Sequence, residues 1–343
     1  MRTFCLAFIA AGLAALGLAQ PATTAGPYKV LKTVKVGGAG GFDYVYADSV
    51  GRRLYVPRGG TPGRISVFNL DTLEPVGEIP NVSARGAAVD PKSGHGFASS
   101  KPVAMWDTKT MSIIKTIDVQ GGPDGILFDA FNDRVYVFSH SAPNTTVIDS
   151  KDGSVVGTID LDGAPEQAVS DGKGHIYVDI EDKDNVAVVD AKTLKVTAHY
   201  DLGGKGGTCA GLAMDVKNRI LFTACRKPQA MVMLNADTGK VIDSLPIGAG
   251  TDGAVFNSAT MEAFSSQGDA TLTVVKENSA TSFAVEQTVQ TLPRAKTLTL
   301  DSKTNNIVLI TAEFTPAPPA PAGGRPGRPQ MVPDSFSILV VGK

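Results

Sequence analysis

One pattern recurs seven times in this 343-residue chain, and it leaves few folds open. A short apolar run, a polar turn and a second apolar run make up VYADSVGRRLYV, AAVDPKSGHGFA, ILFDAFNDRVYV, QAVSDGKGHIYV, LAMDVKNRILFT, AVFNSATMEAFS and LTLDSKTNNIVL. Each reads as a β-hairpin. The residues opening the turns are Asp48, Asp90, Asp129, Ser170, Asp215, Asn257 and Asp301, at intervals of 42, 39, 41, 45, 42 and 44 residues. A third run follows every hairpin (ISVFNLDT, VAVVDAKT), and a fourth follows six of them (EPVGEIP, KVTAHYDL). The seventh repeat has no fourth run, but YKVLKTVKV at 28–36 stands alone before the first repeat and reads as the missing strand.

Four strands at a period near forty predict an all-β fold, a seven-bladed β-propeller of four-stranded antiparallel blades. A lone blade cannot bury both faces of its sheet, whereas seven in a ring can. If the N-terminal strand completes the last blade, the ring has no loose end. A sandwich needs no such regular period, and long helical periodicity is absent. The expected division is a signal peptide at 1–19, a short leader at 20–27 and a single propeller at 28–343. Residues 28–36 are the closing strand, and 315–333 form a Pro/Gly-rich loop in blade 7.

The segment MRTFCLAFIAAGLAALGLA has one early positive charge, an apolar run, and Gly17 and Ala19 placed for cleavage before Gln20. It predicts export to the periplasm or beyond. Loss of Arg2 with it shifts the formal charge from −2 to −3. Acidic and basic residues are interspersed without a basic block, which disfavours nucleic acid and anionic membranes as partners. No other segment is apolar enough to span a bilayer, and a closed ring is expected to be monomeric.

The repeated RRLYVPR, DRVYVFS and GHIYVDI, each followed by a VxVxD-like strand, resemble the YVTN-repeat, YncE-like family of bacterial seven-bladed propellers. The resemblance covers essentially all of the chain after the leader. It implies the propeller fold and an exported binding or scaffold role, with lactonases among related seven-bladed propellers. The sixth repeat departs most: MEAFSS replaces the Tyr-Val run, and Lys276 replaces the Asp that ends the third strand. A fold shared by many activities does not fix one of them.

In such blades the first strand lines the central channel. Inter-blade loops share one face with the loops between second and third strands. Two rings of residues are therefore expected at one mouth. The inter-blade ring reads Asp43, Arg85, Asp124, Glu166, Cys209, Asp252 and Arg294. Any one of these carboxylates could simply accept backbone N–H bonds in its turn. Converging together, they call for a cation, a proton or an Arg between them. The second ring reads Arg58, His140, Glu181, Arg226 and Glu313. Glu313 directly follows an apolar strand and is the candidate catalytic carboxylate. His140 is the one histidine of four on this face, and a lone histidine is more often a surface residue than a ligand.

Two cysteines remain after the leader, Cys209 and Cys225. A turn centred on Lys217 pairs Asp215 with Arg219, Ala213 with Leu221 and Cys209 with Cys225. In an oxidising compartment that predicts a disulfide contributing on the order of 2–3 kcal/mol. Free thiols or a metal pair are the alternatives; the absence of a CxxC disfavours zinc. The loop from Phe314 to Asp334 carries seven prolines, and its Arg325 and Arg328 suit a partial lid, a partner-docking arm or a tolerated insertion.

No GxSxG, HExxH, P-loop or CxxCH appears. The leading expectation is a non-enzymatic propeller binding a small polar or anionic molecule, or another exported protein. Arg58, Arg85, Arg226 and Arg294 would hold anionic groups. The runner-up is a lactonase-type hydrolase, in which Glu313 or a divalent cation held by the carboxylates activates water. Electron transfer or metal handling through His140 ranks third.

Overall fold

The structure, a computed structural model, describes residues 23–142, 145–318, 327 and 329–343. The expected signal peptide at 1–19 lies outside these residues, as do Pro319, Pro321, Gly323, Gly324, Arg325, Pro326 and Arg328 of the late loop. The described chain forms seven four-stranded antiparallel sheets without a helix, a seven-bladed β-propeller. No helix of the described residues is long and apolar enough to cross a membrane. Blade 1 comprises β2 (Tyr46–Asp48), β3 (Arg53–Arg58), β4 (Arg64–Asn69) and β5 (Pro75–Pro80). Blades 2 to 6 repeat this order from β6 (Ala84–Asp90) to β25 (Ser282–Gln290). Blade 7 joins β26 (Leu298–Asp301), β27 (Asn306–Thr311) and β28 (Ser337–Gly342) to β1 (Lys29–Lys35), so the N-terminal strand closes the ring.

The innermost strands β2, β6, β10 (Pro123–Asp129), β14 (Pro165–Ser170), β18 (Cys209–Asp215), β22 (Thr251–Asn257) and β26 contact one another in sequence, and β26 returns to β2. Apolar side chains of neighbouring blades fill the wedges between sheets. One wedge sets Leu54, Val56 and Phe68 of blade 1 against Ile310, Phe336 and Ile338 of blade 7. Outer strands such as β5 and β17 (Lys195–Asp201) carry mostly exposed residues, as expected where only one edge is covered.

The recurring Asp residues are turn formers. Asp48 Oδ1 accepts N–H bonds from Val50 and Gly51, and Asp90, Asp129 and Asp215 repeat the contact two residues on. Asp107, Asp190 and Asn235 do the same at the ends of third strands. In blade 4 the turn opens at Asp171, whose Oδ1 accepts from Lys173 and His175, rather than at Ser170.

Cys209 and Cys225 form a disulfide. The expected hairpin register is nonetheless off by one: Asp215 pairs with Ile220 and Ala213 with Phe222. The turn needs four residues, ending in left-handed Arg219 at φ 60°. A bulge at Ala210 then consumes one extra residue and restores Cys209 opposite Cys225.

A clasp at the sheet rim ties the chain ends to blade 6. Tyr28 donates its hydroxyl to Glu262, Lys343 Nζ lies 3.0 Å from the same carboxylate, and Gln287 exchanges two hydrogen bonds with the Tyr28 backbone.

Where the turn of blade 5 meets blade 6, Glu277 is only 3% exposed. Its Oε1 accepts from Asn218 Nδ2 at 2.7 Å, while its Oε2 and Asp215 Oδ2 are buried with no hydrogen-bond partner among the described residues. Burial, with Asp215 nearby, pushes the Glu277 carboxyl up to about 7. A carboxyl raised on folding favours the native state below its unfolded value, and that contribution disappears as pH rises through the folded value. Glu277→Gln keeps the shape without the charge. It should raise stability by on the order of 1–3 kcal/mol at pH 8.5 and leave it nearly unchanged at pH 4.5. Urea denaturation at the two pH values checks this; equal effects at both would contradict it.

Candidate functional site at the channel mouth

A bulge interrupts the innermost strand of blades 2 to 6 at the same place. Pairing slips between Ala84 and Ala87, Pro123 and Ile126, Pro165 and Ala168, Cys209 and Gly211, and Thr251 and Ala254. Inside each slip sits one residue of the mouth ring: Arg85, Asp124, Glu166, Ala210 and Asp252. Asp43 and Lys296 hold the corresponding places ahead of β2 and β26. Each ring residue lies five positions before the Asp or Asn that opens its hairpin turn. Bulges re-aim side chains, and in these five blades they deliver one side chain each to the channel end. Gly follows the ring residue in blades 2, 3, 5 and 6, where backbones crowd: a Cβ at Gly211 would lie 2.6 Å from the backbone of Gly253.

The ring assigns Asp43, Arg85, Asp124, Glu166 and Asp252 as expected and corrects the other two positions. Cys209 is one residue out of register, its place taken by Ala210, and its sulfur is committed to the disulfide. Arg294 is two residues out of register, and the ring cation of blade 7 is Lys296. The spacing of five before the turn residue was the signal for both.

The carboxylates are not occupied by their own turns. Arg85 Nη1 lies 3.3 Å from Asp43 and 3.4 Å from Asp124. Arg226, from the end of β19 (Ile220–Arg226), donates to both Glu181 and Asp252, and Lys296 donates to the second oxygen of Asp252. His140 Nε2 stands 3.5 Å from Asp124 Oδ2 and 3.5 Å from Glu166 Oε1. Tyr44 reaches across the channel from blade 1 and donates to Glu166 Oε2 at 3.3 Å.

Burial, reinforced by Glu181 and Asp124, pushes the Glu166 carboxyl up to about 8. Burial also raises Asp124, against the opposing pull of Arg85. The Lys296 ammonium is lowered by burial, with the Arg226 charge acting in the same direction against the ring carboxylates. The Tyr44 hydroxyl is raised well above its ordinary value by burial and then by Glu166.

Tyr44 and Gln167 floor the mouth. Gln167 reaches from blade 4 to Ala254 O at 2.9 Å and accepts from the N–H groups of Leu212 and Ala254. On the turn side of this floor lies an apolar cavity of about 500 Å³ lined by residues such as Phe128, Met214 and Phe256.

Two second-ring residues stand outside the network. Arg58 is 1% exposed. Its guanidinium donates to the carbonyls of Gly37, Gly38 and Gly40 and lies 3.7 Å over the Phe336 ring, locking blade 1 to blade 7. Burial lowers its pKa to about 10. It is a structural residue, not a mouth residue. Glu313, the candidate catalytic carboxylate, is 69% exposed and faces Lys35 at 3.5 Å.

Arg294 keeps a place at the rim. It is exposed, its guanidinium lies 4.2 Å over the Phe314 ring, and it has no carboxylate partner among the described residues. It borders two cavities. One, of about 720 Å³, includes Leu292, Glu313, Phe314 and Pro316. The other, of about 500 Å³, includes Phe42, Lys296, Phe314 and Met331. The two legs of the late loop are pinned at their base, where Thr315 donates to Gln330 O and Val332 to Glu313 O, each at 2.8 Å. That stalk fixes Phe314 and Met331 as a wall.

No protein-family model matches the chain, and no curated protein matches it. Among solved structures it is similar to a chain in the crystal structure of a mitotic checkpoint complex, with 11% identity and a TM-score of 0.70. The match covers 90% of this chain and 96% of that one. At this identity the likeness identifies the fold and carries no function.

The mouth charges differ in how much they hold together. Arg226 is partly buried between two carboxylates, and its removal leaves Glu181 without a cation and Asp252 with Lys296 alone. Arg226→Ala should cost about 2–3 kcal/mol. Arg85, 59% exposed at its side chain, should cost less than about 1 kcal/mol when changed to Ala. Urea denaturation at neutral pH measures both; equal costs would contradict the assignment.

Proposed function

We propose that this chain is an exported propeller of the YVTN-repeat, YncE-like kind that binds a small anionic organic molecule at its mouth without transforming it. The observation that carries this reading is Arg294, a guanidinium stacked on Phe314 beside two cavities and lacking a carboxylate partner among the described residues. Arg85 and Arg226 are engaged by carboxylates and Arg58 by backbone carbonyls, so the work expected of four arginines narrows to Arg294.

The cavity shared by Phe42, Phe314, Met331, Arg294 and Lys296 has the composition of a small-molecule site: mostly apolar walls with convergent cations at one side. A planar carboxylate suits it. Its apolar body would lie against Phe42 and Met331, and its anionic end would meet the Arg294 fork. Lys296 adds positive charge on the same side, with one of its three N–H donors already committed to Asp252. The hydrolase alternative built on Glu313 gains no support from that residue's exposed position opposite Lys35.

The test is isothermal titration of the mature protein with a panel of aromatic and aliphatic carboxylates, starting from benzoate. Arg294→Ala should weaken binding at least about tenfold, the loss expected for a charge-assisted contact, with an unchanged melting temperature. Phe314→Ala should weaken it as well. Failure of the whole panel to bind, or wild-type affinity in Arg294→Ala, would overturn the reading.

A further inference from the structure

We infer that the opposite sector of the mouth, between blades 3 and 4, is a site for a divalent transition-metal cation held by His140, Glu166 and Glu181. One ligand atom from each of these residues lies within 4.8 Å of the other two. This inference is independent of the anion site at Arg294.

The two His140 contacts have the spacing of ligands rather than of hydrogen-bond partners, and Glu181 completes the set within 4.8 Å. His140 Nε2 is 3.5 Å from Glu166 Oε1 and 3.5 Å from Asp124 Oδ2, and neither contact is a hydrogen bond. Nitrogen and oxygen atoms bound tetrahedrally to one cation at about 2.1 Å stand roughly 3.4 Å apart. The His140 contacts match that edge length.

Asp124 supplies a second, independent observation. It is 7% exposed, its Oδ2 is directed at His140 Nε2, and its Oδ1 is buried with no hydrogen-bond partner among the described residues. A carboxylate buried in this way without full satisfaction calls for a compensating positive charge. Arg85 reaches only its Oδ2, at 3.4 Å. A cation between His140 and the carboxylates would supply the remaining charge, with Asp124 as a fourth ligand or as the partner that orients the imidazole.

The outer contacts fit a ligand set as well. Arg226 holds Glu181 through Oε1, leaving Oε2 for a metal. The Tyr44 hydroxyl holds Glu166 through Oε2, leaving Oε1. Each ligating carboxylate is thus oriented from behind by a hydrogen-bond donor, as metal-binding carboxylates are. One imidazole among carboxylates selects zinc or a similar borderline cation over calcium and magnesium, which prefer all-oxygen sets.

The experiment uses mature, untagged protein, stripped with chelator and titrated with zinc sulfate by calorimetry, with bound metal counted by mass spectrometry. The expected result is about one zinc per chain, undisplaced by millimolar calcium or magnesium. Zinc uptake should fall at least about tenfold in His140→Ala and in Glu181→Gln, whose circular dichroism should match wild type. Arg294→Ala should take up zinc normally, so failure of the anion reading and failure of this one are distinguishable. No zinc uptake by the wild-type chain, or uptake unchanged in His140→Ala, would overturn the inference. So would calcium binding that is indifferent to both substitutions.

Discussion

Everything at the mouth depends on the ring being closed. A four-stranded blade has two apolar faces and can bury them only against two neighbours, so an open array would leave one face of each end blade in water. Here β1 joins β28 in blade 7, and the wedge between blades 7 and 1 is filled by Phe336, Ile338, Leu54 and Phe68. Around this seam lie the Arg58 guanidinium bonded to the glycine carbonyls and the paired contacts of Arg52 with Asp301. The Tyr28, Glu262 and Lys343 clasp adds a contact from the chain ends to blade 6. Closure fixes the circumference, and the circumference fixes how far apart the side chains carried by the inner strands stand.

The bulges convert that circumference into a site. In blades 2 to 6 one residue is turned out of the ladder toward the channel end, Asp43 and Lys296 stand in the same places in blades 1 and 7, and the residue type differs from blade to blade. The outcome is asymmetric. On the side of blades 5 to 7, Arg226 and Lys296 share Asp252 in a network of direct donors and acceptors. On the side of blades 3 and 4, His140 stands 3.5 Å from both Asp124 and Glu166 without a hydrogen bond to either. The first arrangement pairs its cations with its own carboxylates. The second is buried and crowded with like charge, and burial first, then Glu181 and Asp124, raise the Glu166 carboxyl. Tyr44 and Gln167 separate both sectors from the apolar cavity on the turn side.

The fold was legible in the sequence because seven copies of one hairpin average out local ambiguity, and an unpaired strand at one end answers a missing strand at the other. The disulfide was legible although its register was not: the four-residue turn and the bulge at Ala210 shift the pairing by one residue in opposite senses, and the two offsets cancel at the cysteines. The site was legible only in part. Counting from the glycine-rich loops placed Asp43, Arg85, Asp124, Glu166 and Asp252 correctly, but it took Arg294 for Lys296 because Pro293 and Arg294 mimic the motif. Arg58 illustrates a different limit. Nothing local distinguishes an arginine at a strand end that faces solvent from one that folds back under Phe336 onto three carbonyls. Tyr44 and Gln167 were invisible for a similar reason, since they occupy a position that glycine fills in four other blades.

The measurement that tests closure most directly is native-state hydrogen exchange of the β1 amides bonded to β28, compared with amides of the central strands of blades 3 and 4. If closure holds the ring together, the β1 amides exchange only through global unfolding, with the same free energy and denaturant dependence as the central strands. If β1 opens at markedly lower free energy while the other blades stay protected, the ring stands without its clasp and closure is not what fixes the mouth.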